Sequence, residues 1–250
     1  MTDNVNHPVA LITGAARRIG AAVAQELHAA NFNVVLHYHQ SAKDIHNLCE
    51  QLNATRNNSA CVLQADLCDL SALEKLAQTA IAQWQRLDAL INNASTFYPT
   101  PIGTISAQNW RDLVGTNMQA PLFLSQACYP ALKQQQGSII NMADIHAERP
   151  LSKHSVYCMA KAGNIMLTKS LAKDLAPEVR VNGIAPGTIM WPENEAELSE
   201  RVQATILDRI ALKKIGSPSD IAKAIKFLLV DAPYITGQVI AVDGGRNLVS

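Results

Sequence analysis

The chain alternates short apolar runs with segments of helical periodicity along its 250 residues. Seven runs have the length and apolar character of buried parallel strands: VALIT, NVVLHYH, CVLQADL, ALINNAS, SIINMA, RVNGIAPG and QVIAVDGG. Between them lie stretches such as IGAAVAQELHAA and SALEKLAQTAIAQWQ, in which apolar residues recur every three or four positions. A strand followed by a helix, repeated about seven times, predicts an α/β fold of the Rossmann type. We expect a doubly wound sheet of about seven parallel strands with helices on both faces.

One domain accommodates a chain of this length, and its composition argues against several classes of function. Lys plus Arg and Asp plus Glu number 21 each, with no run of basic residues, so we expect no nucleic-acid or membrane partner. The five cysteines are odd in number and lack CxxC spacing, which favours reduced thiols over disulfides or a zinc site. No charged region precedes a long apolar run at the start, and no apolar segment reaches the roughly 18 residues of a membrane span. We therefore expect a soluble, cytoplasmic protein.

The least regular stretch is PGTIMWPENEAELSE, residues 186–200, which mixes Pro, Gly, Trp and acidic residues after a predicted strand. Two interpretations stay open for it. It is either a substrate flap over a site or an ordinary surface loop that leads into a helix.

The first strand is followed by the turn TGAARRIG, which leads into a predicted helix. In an open α/β sheet the ligand crevice lies at the carboxyl ends of the strands, where backbone amides and a helix N-terminus approach a pyrophosphate. Gly14 and Gly20 fit that use because they lie between a strand and a helix. Arg17 and Arg18 lie between them, either as solvated side chains or, as the adjacent phosphate site favours, as ligand contacts.

The end of the second strand indicates which dinucleotide the site prefers. An NAD site usually presents an Asp or Glu about 20 residues past the glycine turn, where the carboxylate binds the ribose 2'-hydroxyl. Residues 37–41 contain no acid, and His39 and Ser41 can donate hydrogen bonds to a 2'-phosphate, so we expect NADPH. His37 and His39 alternate on the strand as a metal pair does, but no third ligand is apparent, and we expect no metal.

Five motifs fall in the order and spacing of one enzyme family: TGAARRIG, NNAS, Tyr157-x-x-x-Lys161, RVNGIAPG and YITGQVIAVDGG. Over essentially its whole length the chain resembles the short-chain dehydrogenase/reductases, which implies one dinucleotide-binding catalytic domain over residues 1–250. It departs from their common pattern at Arg18, where a glycine is usual, and at Asp144, where a catalytic serine is usual. Both departures, with HYHQSA, LQADL and NNASTFYPTP, resemble the pteridine reductases, although Gln40 replaces a basic residue expected in that subfamily.

The resemblance implies a cofactor site built from several strand ends. Asp66 is expected near the adenine, and Asn92 and Ala94 are expected to line the cleft through backbone and packing. The implied cofactor-binding residues are Gly14, Arg17, Arg18, Ile19, Gly20, His37, Tyr38, His39, Ser41, Asp66, Leu67, Asn93, Ala94, Ser95, Tyr157, Lys161, Pro186 and Gly187.

The resemblance also implies that Tyr157 and Lys161 are catalytic. A tyrosine hydroxyl has a pKa of about 10, and a nearby lysine ammonium and the positive charge of oxidised nicotinamide both lower it, so we expect Tyr157 to exchange protons readily. Lys161 lies one helical turn further on, on the same face, where it can also hold the nicotinamide ribose. Asn117, in VGTNMQAP, resembles the helix asparagine that supports a water relay to the lysine; a structural amide is the alternative.

Asp144 is the residue that narrows the substrate class. Reduction of a ring C=N requires a proton on nitrogen, and a pterin also offers amino and ring N–H groups to a carboxylate. We expect Asp144 to hydrogen-bond Tyr157 and pass a proton, while Phe97 stacks on the heterocycle and Ser95 and Arg18 bind its edges. The alternatives are a helix cap or solvated acid for Asp144 and a buried core residue for Phe97.

The sequence therefore predicts an NADPH-dependent reductase of oxidised pterins, of the biopterin or dihydrobiopterin type, with folates as further candidates. Two alternatives stay open: a carbonyl reductase acting on a ketoacyl thioester or a sugar, and a non-catalytic dinucleotide sensor. The family resemblance also implies a homotetramer, with long helices packed across one interface and the last strand and its helix across another. DIAKAIKFLLV and GQVIAVDGG supply an apolar helix and strand for the second interface.

Overall fold

Seven parallel strands form one sheet at the centre of the structure, a computed structural model that describes residues 7–191 and 199–248. The strands are β1 (Val9–Ile12), β2 (Asn33–Tyr38), β3 (Ala60–Gln64), β4 (Ala89–Asn92), β5 (Ser138–Met142), β6 (Arg180–Pro186) and β7 (Val239–Val242). Their order is β3-β2-β1-β4-β5-β6-β7, and every neighbouring pair is parallel. Each apolar run of the sequence overlaps one strand, which confirms the predicted Rossmann-type fold.

Helices connect the strands and cover both faces of the sheet. They are α1 (Arg18–Ala29), α2 (Ala42–Thr55), α3 (Leu70–Trp84), α4 (Ala107–Val114), α5 (Ala120–Gln134), α6 (Ser155–Asp174), α7 (Glu200–Asp208) and α8 (Pro218–Lys226). Single π-helical turns follow α4 (Gly115–Gln119) and α8 (Phe227–Asp231), and 3-10 turns lie at Ile145–Ala147 and Arg246–Leu248. Both α4 and α8 begin at a serine whose side chain accepts a hydrogen bond from a backbone N–H three residues on, which fixes where each helix starts.

The alternation of side chains along the strands divides the core into two layers. Ala10 and Ile12 of β1 belong to a cluster with side chains of α1 and α8, whereas Val9 and Leu11 belong to a cluster with side chains of α3 and α5. Successive strand residues point to opposite faces, so a strand covered on both sides must be apolar at every position. This is why the runs read as continuous apolar segments.

The strand order reverses beside β1, and this reversal creates the crevice of the fold. β1 pairs with β2 on one side and with β4 on the other, so the connections after β1 and β4 leave in opposite directions. In open α/β sheets the ligand crevice lies outside the carboxyl ends of the strands at such a point.

The stretch expected to be a flap or a loop is described only in part. β6 ends at Pro186 and α7 begins at Glu200, whereas residues 192–198 lie outside the described part of the chain, so the flap stays a prediction. Within the described residues, each helix is too short or too polar to cross a bilayer.

Candidate active site

One cleft with a volume of about 1110 Å³ gathers the carboxyl ends of all seven strands. The residues that β1 to β7 contribute at or just beyond their ends include Gly14, His39, Asp66, Asn93, Asp144, Pro186 and Arg246. Asn92 and Asn117 are buried behind the wall of the cleft. Every other residue predicted from the sequence to bind cofactor or substrate, or to act in catalysis, lines the cleft.

The glycine turn has no room for side chains at its two glycines. Gly14 has φ +63°, and a Cβ atom there would lie 3.0 Å from the Cα atom of Ala94. At Gly20 a Cβ atom would lie 2.1 Å from the carbonyl oxygen of Gly14, a backbone atom that cannot give way cheaply. The chain thus forms a shallow backbone cradle at the start of α1, which is the shape that admits a pyrophosphate.

His37 holds this turn in place from the neighbouring strand. Its Nδ1 accepts a hydrogen bond from the backbone N–H of Gly14 at 3.2 Å, and its Nε2 lies 3.2 Å from the carbonyl oxygen of Ala65. Burial lowers the pKa of His37 to about 4, so the ring is neutral at neutral pH. Among the described residues, no three His, Cys, Asp or Glu side chains are placed to hold a metal ion.

The two arginines of the turn differ in their environment. Arg18 has φ 52°, a conformation that glycine adopts without strain but that costs other residues about 1–2 kcal/mol. Its guanidinium donates to the carbonyl oxygen of Trp191 at 3.1 Å. The Arg17 side chain is also exposed, and its Nε lies 2.5 Å from the Asp44 carboxylate in the first turn of α2. Residues 37–41 contain no acid, but the fold places the carboxylate of the nearby Asp44 against the Arg17 guanidinium.

Asp144 and Tyr157 form the predicted pair. The Tyr157 hydroxyl donates to Oδ2 of Asp144 at 2.6 Å, and Oδ1 of Asp144 accepts from the backbone N–H of His146 at 2.8 Å. Asp144 therefore caps a 3-10 turn and binds the tyrosine with its two separate oxygens. The interpretation of Asp144 as a helix cap holds for one oxygen but leaves the other directed at Tyr157.

The pKa of Tyr157 is raised, which is opposite to the direction expected from the lysine alone. Burial is the largest cause, and the negative charge of Asp144 acts in the same direction because both disfavour the phenolate. The expected lowering left out burial, which is the largest cause, and this adjacent carboxylate. Tyr157 therefore keeps its proton at neutral pH.

Lys161 is buried in the floor of the site. Its ammonium donates to the carbonyl oxygen of Met142 at 2.8 Å and lies 5.7 Å from the centre of the Tyr157 ring. Burial lowers the pKa of Lys161 to about 8, against an opposing effect of the Asp144 charge. Its charge is thus sensitive to pH just above neutrality.

Asn117 joins a buried polar network behind these side chains. Its Oδ1 accepts from the Ser95 hydroxyl at 2.7 Å, and its Nδ2 donates to the carbonyl oxygen of Leu113 at 2.8 Å. Asn164, one turn beyond Lys161 on α6, donates to the carbonyl oxygen of Asn117 at 2.8 Å. No sequence pattern singles out Asn164, because its partner lies 47 positions away.

Phe97 is not a core residue. It is 54% exposed, lines the cleft, and stacks on His154 with ring centres 4.7 Å apart and planes inclined by 10°. The edge of Tyr157 lies against it, with ring centres 4.8 Å apart. An exposed aromatic ring held in place beside the Tyr157 hydroxyl is suited to packing against a flat ligand.

Several residues that sequence reasoning missed also line or support the cleft. Arg246 reaches it from the 3-10 turn after β7, and Thr188 hydrogen-bonds Arg246. Gly187 allows this approach, since a Cβ atom there would lie 2.6 Å from the Cα atom of Asp243. The motif AVDGGR ends in this arginine, but only the tertiary contact between the ends of β6 and β7 brings it to the site.

Comparison with known proteins agrees with this geometry. The family described as enoyl-(acyl carrier protein) reductase, a group of the short-chain dehydrogenase/reductases, matches residues 14–247. Pteridine reductase 1 of Leishmania tarentolae is 36% identical over 99% of both chains. The granaticin polyketide synthase putative ketoacyl reductase 2 of Streptomyces violaceoruber is 34% identical over 99% of both chains. A 3-oxoacyl-(acyl-carrier-protein) reductase of Staphylococcus aureus is 34% identical over 96% of this chain and 98% of its own. The chain belongs to the short-chain dehydrogenase/reductase family of oxidoreductases.

Proposed function

We propose that the protein reduces oxidised pterins to dihydro- and tetrahydropterins with NADPH. The observation that carries the proposal is the hydrogen bond of 2.6 Å from the Tyr157 hydroxyl to the Asp144 carboxylate. A carboxylate here, in place of the serine hydroxyl usual in the family, suits a substrate that presents N–H groups and needs a proton on a ring nitrogen. Pteridine reductase 1 of Leishmania tarentolae, at 36% identity, supports the same substrate class.

The cleft fits a dinucleotide. A Cβ atom at position 14 or 20 would fill the backbone cradle, which explains why both residues are glycines. Family members use NAD(P)H, and NADPH supplies the hydride when it is bound. We assign the 2'-phosphate to His39, Ser41 and Arg17, all of which line the cleft where residues 37–41 carry no acid.

Tyr157 and Asp144 act as one proton-delivering unit in this proposal. The raised pKa of Tyr157 keeps its hydroxyl protonated, so it is available as a donor in the direction of reduction. Asp144 accepts that hydrogen bond and, being at the cleft surface, can return a proton from solvent. The Lys161 ammonium offsets negative charge on this unit during transfer.

The flat substrate is held beside this unit. Phe97 offers an exposed ring at the cleft, and Ser95 and Arg18 line the same cleft with hydrogen-bonding groups for the pterin edges. Ser95 is itself fixed, because its hydroxyl donates to the buried amide oxygen of Asn117. With its one O–H used in this way, the Ser95 oxygen is a fixed acceptor for an N–H of the ring edge, which favours one orientation of the heterocycle.

A carbonyl reductase is the second candidate. Two ketoacyl or oxoacyl reductases are 34% identical to this chain, close to the 36% of the pteridine reductase. Asp144 weighs against this function, because a carbonyl oxygen approaching the Asp144 carboxylate gains no donor from it and is repelled by its charge.

A substrate panel tests the proposal. NADPH oxidation is followed at mildly acid and neutral pH with biopterin, dihydrobiopterin, dihydromonapterin, folate, dihydrofolate and acetoacetyl-coenzyme A. We expect the protein to reduce at least one pterin with a catalytic efficiency that exceeds its efficiency for the thioester by about tenfold or more. Preferential turnover of the thioester assigns the protein to the second candidate. NADPH binding without oxidation by any substrate indicates a non-catalytic dinucleotide sensor.

We further propose a homotetramer. Large apolar side chains are exposed on the outer faces of the helices that the family resemblance places at interfaces, and covering them on association is favourable. They are Leu122, Phe123, Met159, Met166, Phe227 and Val230. Light scattering at micromolar concentration is expected to give four times the chain mass, and a monomer contradicts the proposal.

A further inference from the structure

The guanidinium of Arg246 lines the cleft from the side of the C-terminal turn. It donates to the hydroxyl of Thr188, which follows β6. Within the described part of the chain this is the only hydrogen bond of the Arg246 side chain, and no carboxylate lies within 4.0 Å of its nitrogen atoms. A guanidinium has five N–H donors, so most of them are open to a ligand.

The backbone holds Arg246 in a fixed position. The Asp243 carboxylate accepts from the backbone N–H of Gly245 at 2.8 Å and from that of Asn247 at 2.7 Å. The Asn247 side chain in turn donates to the Glu148 carboxylate at 3.3 Å, which ties the turn to the loop after Asp144. Arg246 is therefore carried by a braced turn, and a braced donor binds with a smaller entropy cost.

Two carboxylates act on the charge of Arg246, but among the described residues neither forms an ion pair with it. Burial lowers the pKa of Arg246, the Asp144 and Asp243 charges raise it, and an arginine stays cationic in either case. The carboxylate oxygens of Asp144 are bonded to Tyr157 and His146, and those of Asp243 to the turn. Arg209, at the end of α7, adds a second positive charge close enough to act on Arg246.

We propose that Arg246 is a specificity-determining residue that binds a carboxylate on the side chain of the substrate, beyond the ring that Phe97 and Asp144 hold. This inference rests on the proposed pterin function and names which pterins the site favours: those with an acidic tail. A planar guanidinium fork matches a carboxylate in two parallel hydrogen bonds, whereas a neutral hydroxylated tail offers it no charge to pair with.

Equilibrium binding to the NADP⁺-loaded protein tests the assignment. Isothermal titration calorimetry with folate, which has an acidic tail, and biopterin, which has a neutral one, gives Kd for each. Arg246→Gln is expected to raise the ratio of Kd for folate to Kd for biopterin by about 10- to 100-fold, the range for losing a charge-assisted pair. Arg246→Lys, which keeps the charge but not the fork, should recover part of that change.

Two control measurements test whether Arg246 contacts the substrate tail directly, rather than acting through its charge alone or through the cofactor. Arg209→Gln removes the neighbouring charge and should change the ratio by less than about threefold, because an exposed cation acts only through a screened field. The Kd for NADP⁺ of Arg246→Gln should stay within about threefold of the wild type. A large loss of NADP⁺ affinity with an unchanged ratio overturns the assignment, since Arg246 then contacts the cofactor.

The remaining outcomes distinguish a failure of the Arg246 assignment from a failure of the proposed pterin function. If wild-type protein binds both pterins and Arg246→Gln weakens them equally, the tail assignment is wrong and the pterin function stands. If wild-type protein binds biopterin but not folate, the tail assignment is wrong as well. If it binds neither, the pterin function fails and the inference fails with it.

Discussion

The two walls of the cleft are built on different physical principles. The wall to which we assign catalysis, here called the catalytic wall, is formed by Asp144, Tyr157 and Lys161, whose side chains are mostly buried and bonded to one another or to backbone. The wall to which we assign cofactor choice, here called the selection wall, is formed by Arg17, His39 and Ser41 after β1 and β2 and is largely exposed, with the side chain of Arg17 67% exposed. Buried groups act in a low dielectric and are strong, while exposed charges are screened. Chemistry should therefore depend steeply on single side chains, and cofactor choice only weakly.

The largest effect is expected on the catalytic wall. Asp144→Ser and Tyr157→Phe should each lower kcat for dihydrobiopterin by about 10² to 10⁴-fold, the usual contribution of a positioned proton donor. Because the two side chains act as one unit, the double variant should lose far less than the product of the two losses. Steady-state kinetics and NADPH binding are measured for all three variants.

The same experiment has two informative failures. A rise in KM alone for Asp144→Ser shows that the carboxylate only binds substrate and that the proton comes from Tyr157 or water. Unchanged kinetics with every pterin removes the main support for the pterin assignment.

The glycine cradle between the walls gives the next largest effect. Gly20→Ala places a Cβ atom 2.1 Å from the Gly14 oxygen, so the turn must shift, and we expect the Kd for NADPH to rise about 10- to 100-fold. Gly237→Ala is the control, because that glycine lies away from the cleft with ordinary spacing around it, and its positive φ makes the substitution costly for the fold alone. It should lower Tm without changing the Kd. Equal effects of the two variants on Kd contradict the cradle.

The buried lysine gives the catalytic wall a pH dependence. Lys161 is charged below its pKa of about 8 and neutral above it, so kcat/KM for NADPH should fall as pH rises through about 8, by about tenfold per unit beyond. Tyr157 does not produce this fall, because its pKa is raised. Lys161→Arg should abolish the fall, whatever its effect on the rate at neutral pH. A fall that persists in this variant belongs to another group.

The smallest effect is expected on the selection wall. Arg17→Gln should raise the Kd for NADPH by about two- to fivefold at low salt, because its charge is exposed and already paired with Asp44. The change should shrink further at about 0.5 M salt. Fluorescence titration with NADPH and NADH measures both the Kd and the preference. A loss of NADPH affinity of about 100-fold in Arg17→Gln would contradict the difference between the two walls. Equal affinities for NADPH and NADH in the wild type would contradict the assignment of NADPH as the cofactor.

The sequence predicted the features that depend on local pattern. The apolar runs identify all seven strands, and the glycine turn follows from its place between β1 and α1, whereas Tyr157 and Lys161 follow from the family resemblance of the motifs around them. These features require only neighbours in sequence or a fixed order of motifs.

Features that arise from contacts between distant segments were not predictable in the same way. Arg246 reaches the cleft because the end of β7 packs against the loop after β6, and Asn164 supports the site through a residue 47 positions earlier. The prediction of the Tyr157 pKa shift had the wrong direction for the same reason. The shift depends on burial and on the distance to Asp144 rather than on the Tyr-Lys spacing.

The hydrogen bond from Lys161 to Met142 joins the end of β5 to the first turns of α6. Because Asp144 and Tyr157 belong to the same stretch, the three side chains to which we assign the reaction lie within residues 138–161, whereas those to which we assign the 2'-phosphate lie within residues 17–41. In the proposed mechanism the reaction and the choice of cofactor thus depend on separate segments of the chain. We therefore expect a substitution at position 144 to change the chemistry and to leave the segment that binds the 2'-phosphate as it was.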